Sequence, residues 1–151
     1  MVSVQALSNS ILKRSFEERI AVSPMKLQKI LYFTYREYLQ ATGQPLFVDC
    51  FQVWKYGPVV TAIYDEFKSF RDQPITRFAK NAQGQVMIVA EDHVPDIKQA
   101  IQRIWEKCRC HDGIFLSNLT HQSNGAWYQA FLKKESVISQ EDIQHDNVTI
   151  P

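Results

Sequence analysis

The sequence has little cysteine, no long apolar run and no excess of charge of either sign. Its three cysteines, Cys50, Cys108 and Cys110, are odd in number, and two of them stand one residue apart. That is a poor disulfide framework, and it points to a reducing compartment. No apolar run approaches the roughly 18 residues that would suggest a membrane span. The N-terminus, MVSVQALSNSILKRSFEER, lacks a basic segment followed by an apolar block and a cleavage site. No secretory signal is read there, and the expected location is cytoplasmic. With 17 basic and 16 acidic residues the net charge is +1, so overall charge advertises neither nucleic acid nor membrane as a partner.

Devices for chemistry are also missing. There is no GxGxxG, no P-loop and no GxSxG. Asp65-Glu66 and Glu141-Asp142 are adjacent pairs. On a helix their side chains diverge, which makes them poor acid/base partners. The run Cys108-Arg109-Cys110-His111 invites a metal reading, but structural zinc takes four ligands, usually from two knuckles. The pair is too tight, and His93 and His121 are distant in sequence. A helix C-terminus, with Cys108 buried and His111 near the negative end of the dipole, explains the run without a metal. These patterns are read as helix ends and solvated helix faces rather than as a metal or acid/base site.

What is present suits a globular chain: 45% of its 151 residues are apolar and 22% are charged. A chain of this length buries roughly 70% of the surface that it exposes when unfolded, so its core needs no disulfide or metal. Val4, Leu7, Ile11 and Leu12 are spaced for a helix over about residues 3–15. Ser23-Pro24 then opens the clearest helix, since Ser caps well and Pro loses no needed N–H at the first position. Leu27, Ile30, Leu31, Thr34, Tyr35, Tyr38 and Leu39 line one face, and Lys26, Lys29, Arg36 and Glu37 fall mostly off it. Gly43 and Pro45 stop it.

Residues 46–56 read as a short strand or an irregular turn. Pro58 is placed to open a third helix, with Val59, Ile63, Phe67 and Phe70 on one face. Residues 75–90 change to a period of two around Asn81-Ala82-Gln83-Gly84 and read as a β-hairpin. Pro95 opens a fourth helix that ends at Asp112-Gly113. Helices follow near 114–120 and 123–133, then a brief extended piece and a turn capped by Ser139. HDNVTIP reads as a loose tail, from about residue 144. The expected fold is α+β and mainly α-helical: one domain over 1–151, with about six helices and a small hairpin. Lys13, Arg14, Arg19, Lys26 and Lys29 lie close in sequence and could form a modest patch for phosphates or an acidic partner. Glu17 and Glu18 dilute it, and the expected reading is a solvated surface.

Three stretches together carry a resemblance: MKLQKILYFTYREYLQATGQPLF, FQVWKYGPVVTAIYDEF and LTHQSNGAW. A helix led by KLQK, a W-x-Y-G-P-V block and a late T-H…W block, in that order, resemble the Panacea domain. This is the SocA-like antitoxin domain, met in prophages as a phage-associated protein. The resemblance runs over roughly residues 4–145. One departure is Ala126, where many members carry Pro directly before the Trp.

The resemblance implies a helical binding module without cofactor, which neutralises a cognate protein toxin by direct binding. It also implies an alternative, since one member acts as an adaptor that delivers its toxin to a cytosolic protease. A further alternative is a phage-encoded enzyme of unknown reaction using His121. Candidate partner-binding residues are Lys26, Trp54, Lys55, Tyr56, Gly57, Pro58, Tyr64, His121 and Trp127. Trp and Tyr bury large areas with few rotors and are enriched where partners bind tightly. Even so, Trp54 and Tyr56 are read as chiefly core, with Gly57-Pro58 as a hinge. Membrane and nucleic acid are not expected partners, and self-association is left open.

Overall fold

In the computed structural model, which describes residues 1–151, the chain is built around its longest helix, Pro24–Thr42. The ends of that helix follow from local chemistry. Ser23 Oγ accepts the Lys26 N–H, Pro24 sits in the first turn, and Gly43 closes the helix in the left-handed region at φ 72. In chain order the helices are α1 (Val4–Glu18), α2 (Pro24–Thr42), α3 (Thr61–Phe67), α4 (Pro95–Cys108), α5 (Gly113–Thr120), α6 (Ala126–Leu132) and α7 (Gln140–Gln144). One antiparallel pair, β1 (Gln52–Trp54) and β2 (Gly57–Val59), completes the mainly helical α+β fold.

α2 is the hub. It packs against α1, α3, α4, α5, α7 and β2, and it is buried on nearly every side. The residues expected off its apolar face are also enclosed: Lys26, Lys29 and Arg36 are all buried. This corrects the one-faced reading. A helix wrapped all round must pair each polar group internally. Lys26 Nζ donates to Arg109 O at the end of α4 (2.7 Å), and Gln28 holds Val60 through both its amide atoms. Arg36 meets Asp146 at 3.0 Å.

Asp146 corrects a second expectation, the loose tail. Its carboxylate accepts from the Tyr32 hydroxyl, Arg36 and the backbone N–H groups of Ala126 and Val148. Val148 and Ile150 are buried beside it. Burial and the adjacent carboxylate push the Tyr32 hydroxyl well above its usual pKa.

The hairpin also lies elsewhere than expected. Residues 75–90 form a turn, closed by Asn81 N–H to Gln85 O at 2.9 Å, but its two arms do not pair. Asn9, fully buried on α1, stands between them. Its side chain bonds the N–H and C=O of Ala79 and also the C=O of Met87. The true hairpin is β1–β2. Pro58 therefore opens no helix; it pairs with Val53 in the register Gln52↔Val59, Val53↔Pro58, Trp54↔Gly57. A proline fits there because alternate pairs of an antiparallel ladder exchange no hydrogen bond, and a missing N–H costs nothing. α3 begins at Thr61 instead, and Asp112 begins α5 as its N-cap rather than ending α4. The other edge of β1 carries the expected extended piece, through Val53 N–H to Ser136 O and Ile138 N–H to Phe51 O, both 2.9 Å. No helix is long and apolar enough to cross a membrane.

Candidate functional site

The β1–β2 turn, Lys55-Tyr56, is held by side chains from three helices. Trp127 Nε1–H on α6 donates to Trp54 O at 2.8 Å. His121 Nε2, just after α5, lies 2.9 Å from Lys55 O, and Ser117 Oγ–H on α5 donates to Tyr56 O at 2.5 Å. Lys29 Nζ on α2 donates to Pro58 O at 3.0 Å. Four nearly consecutive carbonyls thus each meet a side-chain nitrogen or hydroxyl. Gly57, at φ 114, is what allows the close approach. A Cβ there would lie 2.6 Å from Thr120 Oγ1 and 3.0 Å from Lys29 Cε.

This arrangement joins two blocks that are more than sixty residues apart. The late T-H…W stretch is the receptor for the W-K-Y-G-P stretch. Trp54 stacks edge-on against Tyr64 at 4.8 Å, and His121 packs on Trp127 at 4.1 Å. Trp127 in turn lies parallel to Phe131, 5.2 Å away. Eight of the nine candidate residues therefore gather here. Lys26 does not: it is buried under the end of α4, where the desolvated ammonium has a lowered pKa.

Of the two aromatics read as core, Trp54 is half-buried, whereas Tyr56 is 57% exposed at the tip of the turn. A rigid turn with an exposed aromatic presents area without needing to be ordered first. Grooves flank it on both sides. One, about 530 Å³, runs between the start of α2 and the hairpin and is lined by Met25, Gln28, Lys29, Trp54, Tyr64 and Arg71 among others. The second, about 370 Å³, is formed by Val53, Trp54, Lys55, Trp127 and Phe131.

Ser117, Lys68 and Arg71 go unnoticed in the sequence, and Lys29 reads there only as part of a solvated basic surface. Nothing near Lys29 in the chain marks it. Its partner, Pro58, is 29 residues away, and its environment exists only once α2 is enclosed. Burial pushes its amine down to about 7.

The remaining candidates resolve differently. His121 has both ring nitrogens against backbone carbonyls, Nδ1 being 2.6 Å from Ser117 O. Neither nitrogen is free to serve a thiol or a carboxylate. Around the Cys-Arg-Cys-His run no group of three or more potential ligands converges. Cys108 is buried and its thiol is pushed up to about 12, while His111 stacks on Phe115. The basic residues around the first two helices form no patch. Lys26 and Lys29 are interior, Arg14 is paired bidentately with Glu91 and Lys13 faces Glu17.

Comparison with known proteins follows the same geometry. The family described as antitoxin SocA-like, Panacea domain, matches residues 27–128. That span starts in α2 and ends just past Trp127, so it contains both halves of the clamp. Antitoxin SocA of Caulobacter vibrioides (strain NA1000 / CB15N) is 30% identical over 129 residues, covering 83% of this chain and 69% of that protein. No solved structure matches significantly.

Proposed function

We propose that this chain, which belongs to the family of SocA-like antitoxins with the Panacea domain, neutralises a cognate protein toxin in the cytoplasm by binding it directly. The surface assigned to the toxin is the Trp54–Gly57 turn with its two flanking grooves. One observation carries this assignment: Tyr56 stands exposed on a turn whose carbonyls are pinned by Trp127, His121, Ser117 and Lys29. Binding there spends little entropy on ordering the loop, and aromatic anchors of this kind dominate interface energies. A standard interface takes roughly 800 Å² from each partner. The surface of this protein is 8116 Å², so about a tenth of it would serve.

An enzymatic role built on His121 is not supported, because both of its ring nitrogens face backbone carbonyls. Delivery of the toxin to a protease would need a second surface. In the segment after Ile143, Asp146, Val148 and Ile150 are packed inside, while the residues between them are exposed.

Co-expression tests the proposal. A reading frame adjacent to this gene, as a candidate toxin, is expressed alone and together with this chain, and survivors are counted. Growth arrest relieved by a stable stoichiometric complex is the expected result. Rescue in which the toxin vanishes without a complex would favour delivery to a protease instead. A neighbouring product that is harmless would remove the reading.

A further inference from the structure

The groove between α2 and the hairpin has an unusual charge inventory. Four basic side chains line it, Lys29, Lys55, Lys68 and Arg71, and no aspartate or glutamate does. The chain as a whole is nearly neutral, so this concentration is local. Outside the groove five arginines are matched, while Arg19, Lys26, Lys80, Lys107 and Lys134 stand apart from one another along the chain, with no ion pair. Arg14, Arg36, Arg77, Arg103 and Arg109 each meet a carboxylate at 2.6–3.3 Å. In the groove only Lys68 has such a neighbour, Asp65 at 3.6 Å, and both of those side chains are largely exposed.

Two further features mark the groove. The Lys29 amine at its inner wall is 1% exposed and meets one acceptor, Pro58 O, with no carboxylate beside it. Burying a cation without a counter-charge is costly. At the rim, Arg71 adopts φ 57, ψ −117, a backbone region that is normally glycine's. Strain of this kind persists where the surroundings impose it and clusters at binding sites. Among these basic groups, Trp54, Tyr56 and Tyr64 also line the groove.

We propose that this groove receives an acidic side chain of the bound toxin, its carboxylate set among Lys29, Lys68 and Arg71 and its apolar neighbours laid on Trp54 and Tyr64. The occupant is a protein segment of the pattern apolar–acidic–apolar. The assignment rests on the toxin-binding reading for the identity of the partner, but not for the chemistry of the groove. A carboxylate supplies the acceptors that the wall lacks, and a guanidinium can take it bidentately.

The test titrates the full chain, followed by amide and indole NMR shifts, with the peptide Ac-LEFEL-NH2 and with its uncharged counterpart Ac-LQFQL-NH2. ATP is run in parallel. The acidic peptide is expected to shift the Trp54 indole and the hairpin amides saturably, and to bind at least tenfold more tightly than the glutamine peptide. Lys68→Glu/Arg71→Glu, two surface changes whose fold is checked by circular dichroism, should lose that binding. Equal binding of the two peptides, no binding of either, or shifts that map outside the groove would overturn the proposal. Tighter binding of ATP would reassign the groove to a small anionic ligand.

The same double variant is carried through the co-expression rescue. Rescue by the variant as complete as by the native chain overturns the groove and leaves the antitoxin reading standing. Peptide binding by a chain whose neighbour is harmless keeps the groove and removes that reading.

Discussion

Lys29 Nζ lies 3.0 Å from the carbonyl oxygen of Pro58, directly beneath Gly57. A buried amine on the central helix thereby fixes the inner end of the turn that presents Tyr56. The contact links the enclosed hub of the fold to its most exposed aromatic corner, and it sets what each part of that corner will tolerate.

Gly57 should tolerate nothing larger. A Cβ would collide with Thr120 Oγ1 at 2.6 Å and would need a φ of 114 that side chains rarely adopt. Gly57→Ala is expected to cost about 2–4 kcal/mol, the range of overpacking combined with backbone strain. Urea unfolding measures this. A loss below about 0.5 kcal/mol, the ordinary surface value, would show that the turn relaxes freely.

Lys29 makes stability depend on pH. Its amine falls from 10.5 to about 7 on folding. Below pH 7 both states hold the proton, and the burial penalty is fully present. Between 7 and 10.5 the unfolded chain holds a proton that the native one has released, so stability rises with pH. The slope approaches ~1.4 kcal/mol per pH unit in that window. Unfolding curves at pH 7, 8 and 9 should show the rise in the native chain and a flatter profile in Lys29→Met. Parallel profiles would mean that the amine is not the titrating group.

Asp146 should be far costlier to remove than its place near the end of the chain suggests. Asp146→Ala leaves Arg36 buried without a counter-charge and frees the Tyr32 hydroxyl and two backbone N–H groups. Breaking one side of a buried pair costs about 3–5 kcal/mol. A double change, Arg36→Met with Asp146→Leu, should cost less than the sum of the two singles, because no lone charge remains. Strict additivity in thermal melts would contradict that coupling.

Tyr56 and Trp54 should separate binding from folding. Tyr56→Ala removes an exposed ring and should change stability by no more than ~0.5 kcal/mol, while weakening the toxin complex by at least about 2 kcal/mol if it is an anchor. Trp54→Ala also removes the contact with Tyr64, so it should lower both. Copurification with the neighbouring gene product reads the first effect and thermal melting the second. Full retention of the complex by Tyr56→Ala would move the binding surface elsewhere.

Local chemistry made much of the helical scaffold legible in advance. The start and stop of α2 follow from Ser23, Pro24 and Gly43, whose effects need only neighbouring residues. The same holds for Pro95 at the start of α4 and Ser139 at the cap of α7. The failures share one cause, a partner far away in the chain. Asn9 keeps the arms of 75–90 apart from some seventy residues upstream. Pro58 looked like a helix opener because its pairing with Val53 depends on the register of the turn, not on its neighbours. The burial of Lys26, Lys29 and Arg36 depends on Arg109, Pro58 and Asp146. The clustering of the W-K-Y-G-P and T-H…W blocks was suggested only by their joint occurrence in a resemblance, and spacing alone had no means of placing Ser117 or Lys29 beneath them.

The bond between Arg36 and Asp146 spans 110 positions, and that distance is also a delay. A ribosome adding about 5–20 residues per second needs on the order of ten seconds to pass from the one to the other. Throughout that interval Arg36 has no Asp146 to meet. The corner bearing Tyr56 is translated early, but it rests on a hub that is completed late. Completion of the hub therefore trails most of the chain's synthesis, and a clip a few residues before Asp146 would return it to the unfinished state.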